Sequence, residues 1–148
     1  MFLTGLSYKT VRSKIVLDRE DKGPLIPDFF VEPAHGTLWD ILDIKRPTAK
    51  LWTGTKNRER FSSNVYELVA QLREYGNYFD NPKHRSQIQA RYGISCYKPR
   101  LVGIIGCGAA VDDTALRDAQ GDLSSVRIRT YDELLSEVKN IRDWLSDA

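Results

Sequence analysis

The chain has 148 residues, the length of one domain that can enclose a sizeable hydrophobic core. Its hydrophobic content of 41%, charged content of 28% and net charge of +2 are typical of a globular protein and do not by themselves indicate nucleic-acid binding. No apolar run approaches the length of a transmembrane helix and no secretory leader is recognisable, so we expect a single cytoplasmic domain over residues 1–148 that contacts no membrane. Cys96 and Cys107 lack the spacing of metal ligands, and we expect two free thiols.

The first third of the chain reads as extended structure. Alternating residues predict a strand over Val11–Glu20, and Asp21–Pro24 reads as a turn because it contains glycine and proline. Two short apolar runs, Ile26–Val31 and Leu38–Ile44, then flank a cluster of turn residues, Glu32–Thr37. This pattern predicts a β-hairpin with a longer loop.

The longest predicted helix covers Arg58–Phe79, after a connector over Thr48–Asn57. Trp52 in the connector is suited either to stacking on a nucleic-acid base or to packing against the core. The helix has one apolar stripe at helical spacing. Its members are Val65, Leu68, Val69, Leu72 and Phe79.

The second half of the chain alternates helical and extended patterns. Lys83–Tyr92 is either a short helix or a surface loop, and Arg100–Cys107 reads as a buried central strand. Asp112–Asp122 predicts a short helix, Val126–Thr130 a last strand, and Tyr131–Leu145 a final helix with a clean apolar face. The order predicts an α/β domain whose central mixed β-sheet is flanked by helices. We expect the sheet to begin with an antiparallel meander and to continue with strands that are added through helical crossovers.

Three polar residues of the hairpin are not needed by a packed strand pair. Strand alternation places Asp43 and Lys45 on one face, and antiparallel pairing brings Asp28 level with Asp43. Two neighbouring carboxylates repel each other, and a hard cation such as Mg²⁺ relieves that repulsion. Lys45 could then orient or deprotonate an attacking water, which outlines a phosphodiesterase site. The alternative is a turn aspartate and a solvated strand face.

Gln71 and Tyr75 lie four residues apart, in one row beside the apolar stripe of the long helix. A glutamine at that border can reach a water or a phosphate oxygen, and a tyrosine hydroxyl can donate a hydrogen bond to it. The alternative is a pair that fills space on the flank of the helix.

The basic residues are clustered although the net charge is small. Lys45–Arg60 contains six Lys or Arg and one acid, and Lys83–Arg100 contains five Lys or Arg and no acid. Such clusters beside the hairpin predict a surface that faces a polyanion, unless they are simply solvated loop charges. The residues assigned to nucleic-acid binding are Arg46, Lys50, Lys56, Arg58 and Tyr75.

Taken together, the motifs resemble the PD-(D/E)xK nuclease superfamily. Pro27-Asp28 followed by Asp43-Ile44-Lys45 is similar to the motif that names it, and Gln71 with Tyr75 is similar to the Gln-x-x-x-Tyr motif of its RecB-like exonucleases. Lys98–Gly106 and Val126–Leu135 resemble the end of the Shedu antiphage nuclease domain. The resemblance runs from about Asp18 to the end of the chain.

The resemblance implies a restriction-endonuclease-like core and a DNA-cleaving enzyme of prokaryotic antiphage defence that uses Mg²⁺ or Mn²⁺. Asp28, Asp43 and the Ile44 carbonyl would hold the metal, Lys45 would position the water, and Gln71 would support it. One departure is that the family's first helix and its glutamate have no counterpart here, with Asp18 and Glu20 the nearest acids. That departure leaves open an N-terminal domain outside this chain, a homo-oligomer, and an inactive nuclease-fold domain that only binds nucleic acid or a protein.

Overall fold

The structure is a computed structural model that describes residues 8–55, 58–107 and 113–147. Within these ranges, strands dominate the first half and helices the second. The elements are β1 (Tyr8–Arg12), β2 (Phe29–Pro33), β3 (Asp40–Ile44), β4 (Trp52–Thr53), β5 (Arg60–Phe61), α1 (Ser63–Tyr78), α2 (Pro82–Tyr92), β6 (Leu101–Ile104), α3 (Asp113–Gly121), β7 (Val126–Arg129) and α4 (Tyr131–Asp147).

Among the described residues, five strands form one central sheet in the order β1-β2-β3-β6-β7. β1, β2 and β3 pair antiparallel, whereas β3, β6 and β7 pair parallel. The parallel connections pass through helices, as parallel strands require. The predicted α/β class with a mixed central sheet is therefore confirmed, and so is the meander that opens it.

The sheet has one thickly covered face and one thinly covered face. α1 packs on the first, where Ile41, Leu101 and Ile128 join the helix residues in the main core. On the opposite face Val31, Leu42 and Val102 form a smaller cluster, against which Tyr131 and Leu134 of α4 pack. Because side chains alternate along β3, Asp43 shares the α1 face with Ile41.

The long helix begins five residues later than predicted. Arg60 and Phe61 pair with Trp52 and Thr53 in a two-stranded sheet, so the chain is extended where the pattern predicted helix. The Ser62 hydroxyl donates to the Lys50 carbonyl instead of capping the helix. The Trp52 ring stacks on Phe61 with 4.9 Å between ring centroids, which confirms its packing role.

The prediction of a strand over Val11–Glu20 is wrong beyond Arg12. Lys14 has a φ of 60°, which breaks the extended backbone, and only Leu17 returns to a strand-like pair with Leu25.

Of the two alternatives for Lys83–Tyr92, the structure shows a helix, α2. The Asn81 side chain accepts a hydrogen bond from the Lys83 amide and Pro82 occupies the first turn, which favours a helix start at this point.

The last helix begins at Tyr131 as predicted, with the Thr130 hydroxyl accepting from the Glu133 amide. Its apolar face is less covered than its pattern predicted, since no residue of α4 is buried. Val138 is 63% exposed and Trp144 is 71% exposed. The apolar contact of α4 with the sheet is made by its first turn, through Tyr131 and Leu134, while Glu137 in the next turn pairs with Arg129 of β7.

Candidate active site

The hairpin brings the two predicted carboxylates together at the end of β3. The register pairs Phe29 with Leu42, so the next pair along is Asp28 and Asp43. The Asp28 amide donates to Asp43 Oδ1 at 3.4 Å, and the Ile44 amide donates to Asp28 Oδ2 at 2.8 Å. Asp43 is 1% exposed whereas Asp28 is exposed, so one residue of the pair is buried and the other is open to solvent.

Lys45 lies on the same side of β3 as Asp43, as the strand alternation predicts. Its ammonium is 2.9 Å from Asp43 Oδ2, and its side chain is 38% exposed. Asp43 Oδ2 is itself buried and accepts no well-aligned hydrogen bond from the described residues. The ammonium therefore neutralises a buried carboxylate oxygen whose hydrogen-bonding capacity is otherwise unused within the described residues.

Gln71 of α1 connects the helix to this group. The Lys45 ammonium donates to Gln71 Oε1 at 2.9 Å, and Gln71 Nε2 donates to the Tyr75 hydroxyl at 2.6 Å. Tyr75 is 2% exposed, so a direct contact with DNA does not fit its position. It lies behind Gln71 and holds the amide orientation that presents an oxygen to Lys45.

Two further contacts fix the backbone at Lys45, and the sequence did not reveal them. The Tyr131 hydroxyl donates to the Lys45 carbonyl at 2.6 Å, while the Lys45 amide donates to the Ile104 carbonyl at 2.8 Å. The Tyr131 amide in turn donates to the Gly106 carbonyl at 3.0 Å. The first residue of α4 thus positions the site from the other face of the sheet, although it is 86 residues from Lys45 in sequence.

The electrostatics of the pair favour binding of a proton or a cation. Burial raises the pKa of Asp43 above its ordinary value, the Lys45 ammonium opposes this, and the neighbouring Asp28 adds to it. Burial and then the charge of Asp43 raise the pKa of Tyr75 to about 12. Tyr75 is therefore a neutral hydrogen-bonding group near pH 7 and not a base.

Asp28 and Asp43 provide carboxylate oxygens that fit a magnesium ion, but this set of metal ligands is small. No cluster of three or more His, Cys, Asp or Glu that could hold a metal occurs within the described ranges. Mg²⁺ is commonly bound by one or two carboxylates together with waters and substrate phosphates, so Asp28 and Asp43 suffice. The observed contact of Ile44 is its amide, which donates to Asp28, and the ligand role of its carbonyl stays a prediction.

Asp18 and Glu20 are the acids closest to the place in the sequence where the family has its first glutamate, and they do not lie at the candidate site. Asp18 pairs with Arg91 at 3.0 Å, and both Asp18 and Glu20 line a cavity beside α2.

The sequence analysis did not single out one buried acid, Asp40. This residue is 5% exposed and accepts hydrogen bonds from the Tyr8 hydroxyl at 3.0 Å and the Arg100 amide at 2.9 Å. It fixes the start of β3, at the end of the strand away from Asp43.

A cavity of about 390 Å³ opens beside Lys45 and Gln71, between α1 and the turn that follows β3. It is another feature that the sequence analysis did not predict. Both α1 and the segment that follows β3 contribute polar lining residues, and the apolar lining residues belong to the core or pack against it. The lining residues are Lys45, Arg46, Thr48, Ala49, Asn64, Glu67, Leu68, Gln71 and Ile105.

Three of the basic residues assigned to nucleic acid lie in described segments, Arg46 in the turn after β3 and Lys50 and Arg58 near the β4–β5 pair. Arg46 lines the cavity, and Lys50 and Arg58 are exposed. None of these three has an ion-pair partner within residues 8–55, 58–107 and 113–147. Lys56 lies outside the described residues.

No protein-family model matches the sequence, and no curated protein matches it significantly. Among the helices that the structure describes, none is long and apolar enough to cross a membrane. The functional conclusion therefore depends on the geometry of the site.

Proposed function

We propose that this chain is a restriction-endonuclease-like nuclease that hydrolyses DNA phosphodiester bonds with the help of Mg²⁺ or Mn²⁺. The observation that best supports it is a continuous series of contacts from Asp28 through Asp43 and Lys45 to Gln71. Asp28 and Asp43 meet where β2 begins and β3 ends, and Asp43 contacts Lys45, which lines the cavity together with Gln71. By its resemblance to Shedu nucleases, we propose a role in antiphage defence in a prokaryotic cytoplasm.

Each residue has a role that follows from its position. Asp28 and Asp43 provide the carboxylate oxygens for the metal, which when bound supplies positive charge at the phosphate. Lys45 is 38% exposed and reaches the surface, so its ammonium can hold a water or a phosphate oxygen. Gln71 is a positioning residue, because it accepts from Lys45 and is itself oriented by Tyr75.

The surface around the site supports a polyanionic substrate. Arg46, Lys50, Arg58 and Arg60 are exposed basic residues of the turn and hairpin that follow β3. Cations concentrated on one surface attract the phosphate backbone and make binding depend on salt concentration. A DNA strand that reaches Lys45 would pass over these residues.

A second candidate function is a nuclease-fold domain that binds nucleic acid without cleaving it. The small donor set favours it, since only two acids meet at the site within the described residues. This alternative predicts DNA binding with a steep salt dependence and no cleavage with any divalent metal.

Cleavage of linear and circular DNA in Mg²⁺ and Mn²⁺ separates the two functions. We expect the wild-type chain to degrade DNA and Lys45→Met to be inactive while its salt-dependent binding persists. Lys83→Met is the matched control, because Lys83 is exposed on α2 and lines a different cavity. Equal cleavage by the wild type and Lys45→Met would contradict the proposed function, and binding without cleavage by the wild type would favour the alternative.

A further inference from the structure

The cavity beside Lys45 has walls that are fixed by the fold. The turn after β3 is closed by the Ala49 amide, which donates to the Arg46 carbonyl at 3.0 Å. The Gly106 amide also donates to the Arg46 carbonyl, and a side chain at Gly106 would lie only 2.7 Å from the Ala49 carbonyl oxygen. The Ser62 hydroxyl ties the next residue, Lys50, to the start of α1. A volume of about 390 Å³ is therefore a preformed space within the size range of small-ligand sites.

The lining combines an apolar end with free polar groups. Leu68 and Ile105 are fully buried residues of the core, and they close the inner end of the cavity. Asn64 and Glu67 are exposed and lie on the cavity side of α1, three residues apart. Neither side chain has a hydrogen-bond or ion-pair partner in the described part of the chain. Polar groups without partners in a preformed cavity are available to a ligand.

The position of Glu67 favours a nucleobase over a phosphate on the α1 side of the cavity, although the whole lining has two cations, Lys45 and Arg46, and one anion. The Glu67 carboxylate would repel a phosphate, but it can accept from an exocyclic amino group, as carboxylates do from cytosine N4. The Asn64 amide can both donate and accept, as it does when it pairs with adenine. Arg46 at the same cavity can meet the phosphate attached to that base.

We propose that this cavity binds one unpaired nucleobase that carries an amino group, so that the preferred substrate is single-stranded DNA or an unpaired end. A base inside a duplex is stacked and paired, and it must leave the helix to reach the inner end of this cavity, where Leu68 and Ile105 lie. Thymine has no amino group and is the disfavoured base. The inference deepens the proposed function and rests on it, because Lys45 and Gln71 belong both to the cavity and to the proposed site.

Fluorescence anisotropy in EDTA tests the inference without cleavage. The probes are labelled oligonucleotides of deoxycytidine, deoxyadenosine and thymidine, an abasic strand of equal length, and a duplex. We expect deoxycytidine and deoxyadenosine strands to bind about tenfold to a hundredfold more tightly than the thymidine strand, the range for one good base contact. Glu67→Leu leaves no oxygen to accept from the amino group and should remove most of this preference. Glu74→Leu should retain it, since Glu74 lies on the same helix but pairs with Arg19.

Equal affinity for all strands including the abasic one, or tightest binding to the duplex, would overturn the inference. So would an unchanged preference in Glu67→Leu. Metal-dependent cleavage measured on the same preparations separates the two failures. Cleavage without base preference refutes the cavity assignment alone, whereas absence of both binding and cleavage refutes the proposed function as well.

Discussion

The contact between α1 and β6 predicts the effect of adding a single methyl group. Gly103 pairs with Asp43 in the sheet and faces α1. A Cβ at Gly103 would lie 2.7 Å from Leu68 Cδ2 and 3.1 Å from Ile128 Cδ1. Carbon atoms normally approach to about 3.5–4.0 Å, so the closer overlap approaches 1 Å. Leu68 is fully buried, and the free space beside it is the cavity that it lines, so relief of the overlap requires Leu68 to shift toward that cavity.

We expect Gly103→Ala to lower the free energy of unfolding by about 1–2 kcal/mol. Overpacking of this kind destabilises the folded state by about 1–3 kcal/mol, whereas replacing a glycine inside a strand by alanine stabilises it by about 0.5–1 kcal/mol. The midpoint of thermal unfolding should fall by roughly 2–8 °C for a chain of this size. Urea denaturation followed by circular dichroism measures the change directly.

A matched control and a double variant make this prediction decisive. Gly121→Ala should be neutral or slightly stabilising, because no heavy atom lies within 4 Å of a Cβ at that position. Leu68→Ala should cost less in the Gly103→Ala background than in the wild type, since it removes the overlapping atoms. A Gly103→Ala protein as stable as the wild type would refute the packing of α1 on β6 described above.

Other predictions concern the site and the thiols. The native state holds a proton on Asp43 more tightly than the unfolded state, so the stability of the metal-free protein should fall as pH rises from the ordinary aspartate pKa through the raised one. Mn²⁺ affinity, followed by calorimetry, should rise over the same pH range, and a pH-independent affinity would exclude Asp43 as a ligand. Cys107 is exposed and Cys96 is buried, with burial raising the pKa of its thiol. A thiol reagent should therefore modify one cysteine in the native protein and two after denaturation.

The sequence predicted the hairpin and the helix of the site because both depend on local periodicity. Alternation along β3 placed Asp43 and Lys45 together, and helical spacing placed Gln71 beside the buried stripe. The contact between Lys45 and Gln71 then follows from the packing of α1 on the same face of the sheet.

The sequence did not predict features that depend on tertiary contacts. The start of α1 is displaced because Phe61 pairs with Trp52, and this pairing outweighs the helical pattern around it. The Tyr131 contact with the Lys45 carbonyl joins residues on opposite faces of the sheet, and nothing in the local pattern of α4 indicates it. The base-binding cavity likewise lies between two segments that come together only in the folded chain.

The most direct test of the central claim is thermal unfolding of the wild type and Asp43→Asn, each in EDTA and in Mg²⁺. If Asp28 and Asp43 hold a metal, Mg²⁺ at a hundredfold excess over its Kd stabilises the wild type by about 2.7 kcal/mol, or roughly 5–10 °C. Asp43→Asn should be more stable than the wild type in EDTA, because it removes a buried charge beside Asp28, and it should gain nothing from Mg²⁺. An equal gain from Mg²⁺ in both proteins would contradict a metal site at this pair.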